Sequence, residues 1–250
     1  MVTMSPSSSG VLDDKGRSKA DLIIWDIRRG ISCREMTCAF ESLPILRWSY
    51  KDEYFACLRD SNIYIFETKS FHLLDKNPIK SPSGIRDYSW SPTDNIITYW
   101  VPESDNTPAR VVLIEIPSRQ ELCTKNLFSV AEIGLIWHPQ GDYLAVQGTY
   151  VNFEIVRMRE KLYPVDQFEV KEGVACFQWE PTGSRFAFLQ TSSTNKFSIA
   201  IYDCNKSGKV AGVAMLERAS TRINELRWSP KGNILVVATL KRLTTDSPGT

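Results

Sequence analysis

An all-β, WD40-like β-propeller is the fold predicted for this 250-residue sequence. Three observations predict it: a Trp-anchored turn that recurs five times, period-2 apolar alternation around each copy, and the lack of helical periodicity over any long window. Five of the seven Trp open the pattern W-[S/H/E]-[P/Y]-x-[D/G]. The copies are Trp48-Ser-Tyr-Lys-Asp52, Trp90-Ser-Pro-Thr-Asp94, Trp137-His-Pro-Gln-Gly141, Trp179-Glu-Pro-Thr-Gly183 and Trp228-Ser-Pro-Lys-Gly232, separated by 42, 47, 42 and 49 residues. Such a period of four strands per unit is that of a propeller blade.

Each unit reads strand, tight turn, strand. Two residues before each Trp stands an apolar or aromatic residue (Leu46, Tyr88, Leu135, Phe177, Leu226), which strand alternation places on the same face as the Trp. The Pro presets φ for the turn, and Gly or Asp suits its close. A large apolar residue follows, Phe55, Ile97, Leu144, Phe186 or Leu235, and then a smaller one. Third strands come next at Ile63–Phe66, Val111–Ile114, Phe153–Val156 and Ser198–Asp203, and fourth strands lead to the following unit, as in 121–128 and 210–216. The markers Trp48, Trp90, Trp137, Trp179 and Trp228 are read as packing blade against blade, the usual use of buried aromatics in such sheets.

The register starts mid-blade. Leu22-Ile-Ile-Trp-Asp26 fits a third strand and ends in a WD dipeptide. Four complete four-stranded blades are expected to follow, and 223–238 supply a first and second strand. The blades are expected to span 20–243, between a Ser- and Gly-rich disordered segment at 1–19 and a disordered tail at 244–250. The two end halves either pair into a composite blade or are the edges of an open arc of a larger propeller.

Composition excludes several classes. Thirty Lys and Arg against 29 Asp and Glu leave a net charge of +1, without the basic excess of a free-standing nucleic-acid-binding domain. The longest apolar runs, such as 234–238, fall far short of a membrane span, and the start has no signal-peptide pattern. Six scattered Cys without a CxxC read as reduced thiols of a cytoplasmic protein, and with two His they offer no zinc site.

Several strings then carry a resemblance. Ser83-Gly-Ile-Arg-Asp-Tyr-Ser-Trp-Ser-Pro92, Tyr99-Trp-Val-Pro-Glu103, Pro117-Ser-Arg-Gln-Glu121, Lys125-Asn-Leu-Phe128, Val151-Asn-Phe-Glu-Ile155, Arg157-Met-Arg-Glu-Lys161 and Phe177-Gln-Trp-Glu-Pro-Thr-Gly183 resemble the propeller of the b subunit of eukaryotic translation initiation factor three. The resemblance covers about 21–243. It implies a non-catalytic scaffold whose partners are other subunits of the factor and the small ribosomal subunit, both rRNA and protein. No membrane, small-molecule substrate or cofactor is implied. The family's propeller exceeds the usual blade number, which favours the open arc.

The sequence departs from the family in three places. No RNA-recognition module with an RNP1-like string is present, and a carboxy-terminal helical segment is absent. Ala145-Val-Gln-Gly-Thr-Tyr150 runs almost directly into Val151, where the family has a longer basic hairpin; the expectation is a fragment, splice form or incomplete gene model with that blade disturbed.

Catalytic signatures are missing: no GxSxG, GxxxxGK[ST], HExxH or GxGxxG occurs. His138 takes the turn position held by Ser or Glu elsewhere and is expected to be exposed. Asp87 and Asp94 flank Trp90 without carboxylate counterparts at 87 in the sister units. The basic residues are the candidate contacts. Arg157, Arg159 and Lys161 alternate along one expected strand, Arg110 and Arg119 bracket another, and Lys241 and Arg242 close the last. They form either a solvated outer face or a contact for ribosomal RNA phosphate or an acidic protein surface, one that weakens steeply with salt. A generic interaction propeller of another complex, and a related propeller factor handling initiator tRNA, are the alternative functions.

Overall fold

The computed structural model describes residues 2–4, 22–36, 46–104, 107–128, 132–148, 152–170, 173–191, 196–205, 209–219 and 223–240. The chain folds as two compact units, 1–127 and 128–250. All sheets are antiparallel, and nearly every strand pairs with its sequence neighbour.

In the first unit, β1 (Val2–Met4), β2 (Leu22–Asp26) and β3 (Ile31–Met36) form a three-stranded sheet. β1 pairs with β2 through Val2–Ile24, Thr3–Ile23 and Met4–Leu22. The expectation of disorder across 1–19 therefore meets a strand at its start: β2 is apolar and exposes a ladder edge that a second strand satisfies. Residues 5–21, and the expected disordered tail at 244–250, lie outside the described residues.

β4 (Arg47–Trp48), β5 (Tyr54–Arg59) and β6 (Asn62–Glu67) form the Trp48 sheet. Its fourth strand shrinks to two isolated bridges, Phe66–Leu73 and Ile63–Ile79, and Ile63 and Ile79 exchange both backbone bonds at 3.0 and 2.8 Å. A 3-10 turn at Leu74–Lys76 separates the two bridges, and Pro78 has no N–H to extend a ladder. Three of the four expected blades thus carry four full strands, and this one carries three strands and two bridges. The Trp90 blade holds β7 (Asp87–Trp90), β8 (Ile96–Val101), β9 (Ala109–Glu115) and β10 (Glu121–Leu127).

The second unit repeats the scheme with β11 (Gly134–Trp137), β12 (Tyr143–Gln147), β13 (Asn152–Arg157) and β14 (Val165–Glu169), then β15 (Val174–Trp179), β16 (Arg185–Thr191), β17 (Lys196–Asp203) and β18 (Ala211–Ala219). β19 (Glu225–Trp228) and β20 (Leu235–Ala238) form the final pair. The shortened connection between β12 and β13 leaves its blade whole, with Gln147 opposite Phe153 and Tyr143 opposite Arg157. The four residues 148–151 are ample for a hairpin between antiparallel neighbours.

The core lies between successive sheets within each unit. Ala56, Ile63 and Ile65 pack on Tyr88, Trp90 and Ile97. Likewise Ala145, Phe153 and Ile155 pack on Phe177, Trp179 and Phe186, and Ala187 and Leu189 on Leu226. Stacked rings tighten the middle of the second unit, with Phe153–Phe177 centroids 5.6 Å apart and Phe177–Phe186 5.2 Å apart. No helix among the described residues is long and apolar enough to cross a membrane.

Candidate functional site

The five turns share one skeleton. The residue after each Trp donates its N–H to the carbonyl five residues on: Ser49 to Tyr54, Ser91 to Ile96, His138 to Tyr143, Glu180 to Arg185 and Ser229 to Ile234, at 2.7–2.9 Å. In most copies its side chain then accepts a turn N–H. Ser49 Oγ accepts from Tyr54 at 2.9 Å, Ser229 Oγ from Ile234 at 3.1 Å, and His138 Nδ1 from Gln140 at 3.2 Å. Glu180 instead receives Arg185, whose Nε lies 3.0 Å from Oε2.

The turn position predicts an exposed His138, whereas the residue is fully buried for this reason. The position faces inward to serve the turn, and Ser49, Ser91 and Glu180 are buried there too. The His138 ring meets Tyr143 and Trp179 edge-on, at centroid distances of 5.8 and 5.2 Å. Burial lowers its pKa below the usual histidine value, against the opposing pull of Asp142 and Glu180. The only signal in the sequence was that Ser, His and Glu all carry an acceptor.

Three of the five marker Trp side chains hydrogen-bond to the preceding blade, while Trp137 Nε1 is buried without a partner among the described residues. Trp90 Nε1 donates to the Arg47 carbonyl at 3.0 Å, Trp179 Nε1 to Ile136 at 2.9 Å and Trp228 Nε1 to Gln178 at 3.3 Å. The acceptor is each time the residue just before the preceding marker, Trp48, Trp137 or Trp179. Asp87 pairs with Arg47 at 2.7 Å beside the first of these joints.

The basic candidates fall into two kinds. β13 ends at Arg157, and the chain turns through 158–162, so Arg157, Arg159 and Lys161 do not share a strand face. Arg157 is 5% exposed and spans two blades: its guanidinium contacts Asp166 at 2.7 Å and donates to the Cys204 carbonyl at 2.6 Å. Arg159 and Lys161 stay at the surface, Arg159 against Asp142 at 3.1 Å. On the first unit, Arg110 donates to Ser81 Oγ at 3.2 Å. Arg119 reaches from the Trp90 blade to the Leu74 carbonyl at 3.1 Å, the Asn77 carbonyl at 2.5 Å and the Asp75 carboxylate at 3.0 Å in the Trp48 sheet. Arg157 and Arg119 are thus ties between blades, while Arg159 and Lys161 present their charge outward. Lys241 and Arg242 lie outside the described residues.

Known proteins align with most of this chain. The b subunit of eukaryotic translation initiation factor 3 from Drosophila melanogaster is 40% identical over 260 residues, covering 96% of this chain and 36% of the relative. The Xenopus laevis protein of the same name is 41% identical over 253 residues, covering 97% and 36%. The chain is homologous to the b subunit of eukaryotic translation initiation factor three. It spans little more than a third of these b-subunit relatives. A family model described as Eukaryotic translation initiation factor eIF2A matches residues 125–246. Among solved structures, a eukaryotic initiation factor superposes with a TM-score of 0.71 at 19% identity, over 92% of this chain and 56% of that one. The Cps50 (Swd1) β-propeller domain of Myceliophteria thermophila gives 0.52 at 15%, over 78% and 60%. At those identities the likeness shows a shared propeller fold, in agreement with the b-subunit homology.

Proposed function

We propose that this chain is a non-catalytic scaffold wall of a cytoplasmic translation initiation factor complex, bridging other subunits and the small ribosomal subunit. The observation that carries the reading is the 40% identity to b-subunit proteins along 96% of the chain. The packing fits a wall: arginines and indoles that a binding module would present to solvent are spent on joining blade to blade. Among the described residues of the predicted set, Arg159 and Lys161 present exposed basic side chains that can meet rRNA phosphate or an acidic protein surface. Tagged chain expressed in cells co-sediments with small ribosomal subunits or factor subunits at low salt and is released as salt rises. Failure to co-sediment at low salt, beside a full-length relative that does, overturns the reading for this chain.

The match of residues 125–246 to the eIF2A family supports a second reading, a propeller factor that handles initiator tRNA alone. Saturable tRNA binding by the purified chain without other subunits separates the two.

A further inference from the structure

One backbone bond recurs where each third strand ends. The next residue donates its N–H to the turn: Thr68 to Glu53 at 3.0 Å, Ile116 to Asn95 at 2.8 Å, Met158 to Asp142 at 2.9 Å and Cys204 to Ser184 at 2.9 Å. Glu67, Glu115, Arg157 and Asp203, the last residues of β6, β9, β13 and β17, are therefore equivalent.

The notch between the β11–β14 and β15–β18 blades is filled from within. Arg157 crosses it and gives its Nη2 proton to the Cys204 carbonyl at 2.6 Å. In the corresponding notch of the first unit, the Arg157 position is Glu67, which accepts from Ser70 Oγ, three residues on, at 2.9 Å. Here a cavity of about 410 Å³ remains, and Ile116, the counterpart of Cys204, lines it.

The lining is rich in acceptors. Glu53, Asp94 and Glu115 bring three carboxylates, against the single ammonium of Lys51, which lies over the Tyr50 ring at 4.9 Å. Asn95 donates to Glu53 at 2.6 Å, while its own Oδ1 is buried without a donor. Tyr50, Ile96 and Ile116 supply apolar wall.

We propose that this cavity takes the guanidinium of an arginine from a partner polypeptide, completing in trans what Arg157 completes in cis in the other unit. A guanidinium fits better than an ammonium. Its five fixed donors can serve carboxylates and a carbonyl together, and its stem lies along the isoleucines. The proposal goes beyond the scaffold reading and stands without it, because it concerns a small peptide and the purified chain alone.

The test is titration of the full chain with Gly-Arg-Gly, Gly-Lys-Gly and the citrulline analogue, followed by calorimetry and amide NMR. Saturable binding of the arginine peptide is expected, with the lysine peptide weaker and the neutral citrulline peptide without binding. Glu53→Gln and Glu115→Gln each weaken binding by about tenfold, the loss of one charge-assisted hydrogen bond. Glu67→Arg, which imitates Arg157, closes the site. On the unmodified chain, the Asn95 side-chain amide and the Ile116 amide shift on titration, so the proposal remains testable if a variant does not fold. Equal binding of citrulline, no saturation at millimolar peptide, or shifts that spare Asn95 and Ile116 overturn it.

Discussion

The indole of Trp90 and the carbonyl of Arg47 are hydrogen-bonded at 3.0 Å across the joint between two blades. Trp90 is 7% exposed, so its indole N–H is largely withdrawn from water and depends on this acceptor. The same pairing at Trp179–Ile136 and Trp228–Gln178 makes the repeated Trp a connector as well as a filler.

Trp90→Phe keeps an aromatic filler but removes the donor and leaves a void. A loss of about 2–3 kcal/mol is expected, combining an orphaned buried carbonyl with a cavity. Urea unfolding followed by circular dichroism reads it. Trp228→Phe costs less, because Trp228 is only half-buried and its bond is longer, at 3.3 Å; equal losses would show that neither burial nor bond length sets the cost.

His138 gives the fold a pH dependence. Its folded pKa lies below that of the unfolded chain because burial disfavours the imidazolium, so the native state favours the neutral form. Stability is complete above the unfolded value of about 6.5 and declines as pH falls from there through the lowered folded value. The urea midpoint of the native chain drops between pH 7.5 and 5.5 by more than that of His138→Ser, which carries the sister residue. Parallel profiles for the two proteins would remove His138 as the cause.

How much could be read in advance differs between Trp90 and Arg157. The blade markers were legible because a strand repeats every two residues and a turn fixes Pro and Gly at set offsets; Trp90, Pro92 and Asp94 announce themselves without any tertiary knowledge. Arg157 follows a strand-like alternation with Arg159 and Lys161, and alternation alone does not say where a strand stops. Its end is set by the β13–β14 pairing and by Asp166 and Cys204, distant partners that no local pattern contains. His138 was misplaced for a related reason, since turn composition signals exposure on average, whereas this turn needs an acceptor inside. The cavity beside Asn95 was invisible too, because its walls come from two sheets that only the fold brings together.

The two arginines of the β13 region separate fold from contact. Arg157→Ala strands the Asp166 carboxylate and the Cys204 carbonyl near a closed interior, and is expected to cost about 3–5 kcal/mol. Arg159→Ala removes a half-exposed pair and costs less than about 1 kcal/mol. If Arg159 meets a partner, its variant loses ribosome association while its unfolding curve barely moves. Should Arg157→Ala leave the unfolding midpoint unchanged, Arg157 is not a tie between blades.

Glu180 and Gly232 are matched across a blade joint. A Cβ on Gly232 would fall 2.8 Å from both Cγ and Oε1 of Glu180, and the backbone there sits at φ +74°. Gly232→Ala therefore meets two penalties, a left-handed conformation costing about 1 kcal/mol and a clash with a carboxylate that Arg185 holds in place. Together about 2–3 kcal/mol is expected. Glu180→Ser, which restores the residue of the sister turns, removes the clash but not the φ penalty. In a double-mutant cycle, Gly232→Ala should then cost about 1 kcal/mol in the Glu180→Ser background. A cost that is the same in both backgrounds would mean that the glycine is required by backbone conformation alone, and that the buried glutamate does not dictate its neighbour.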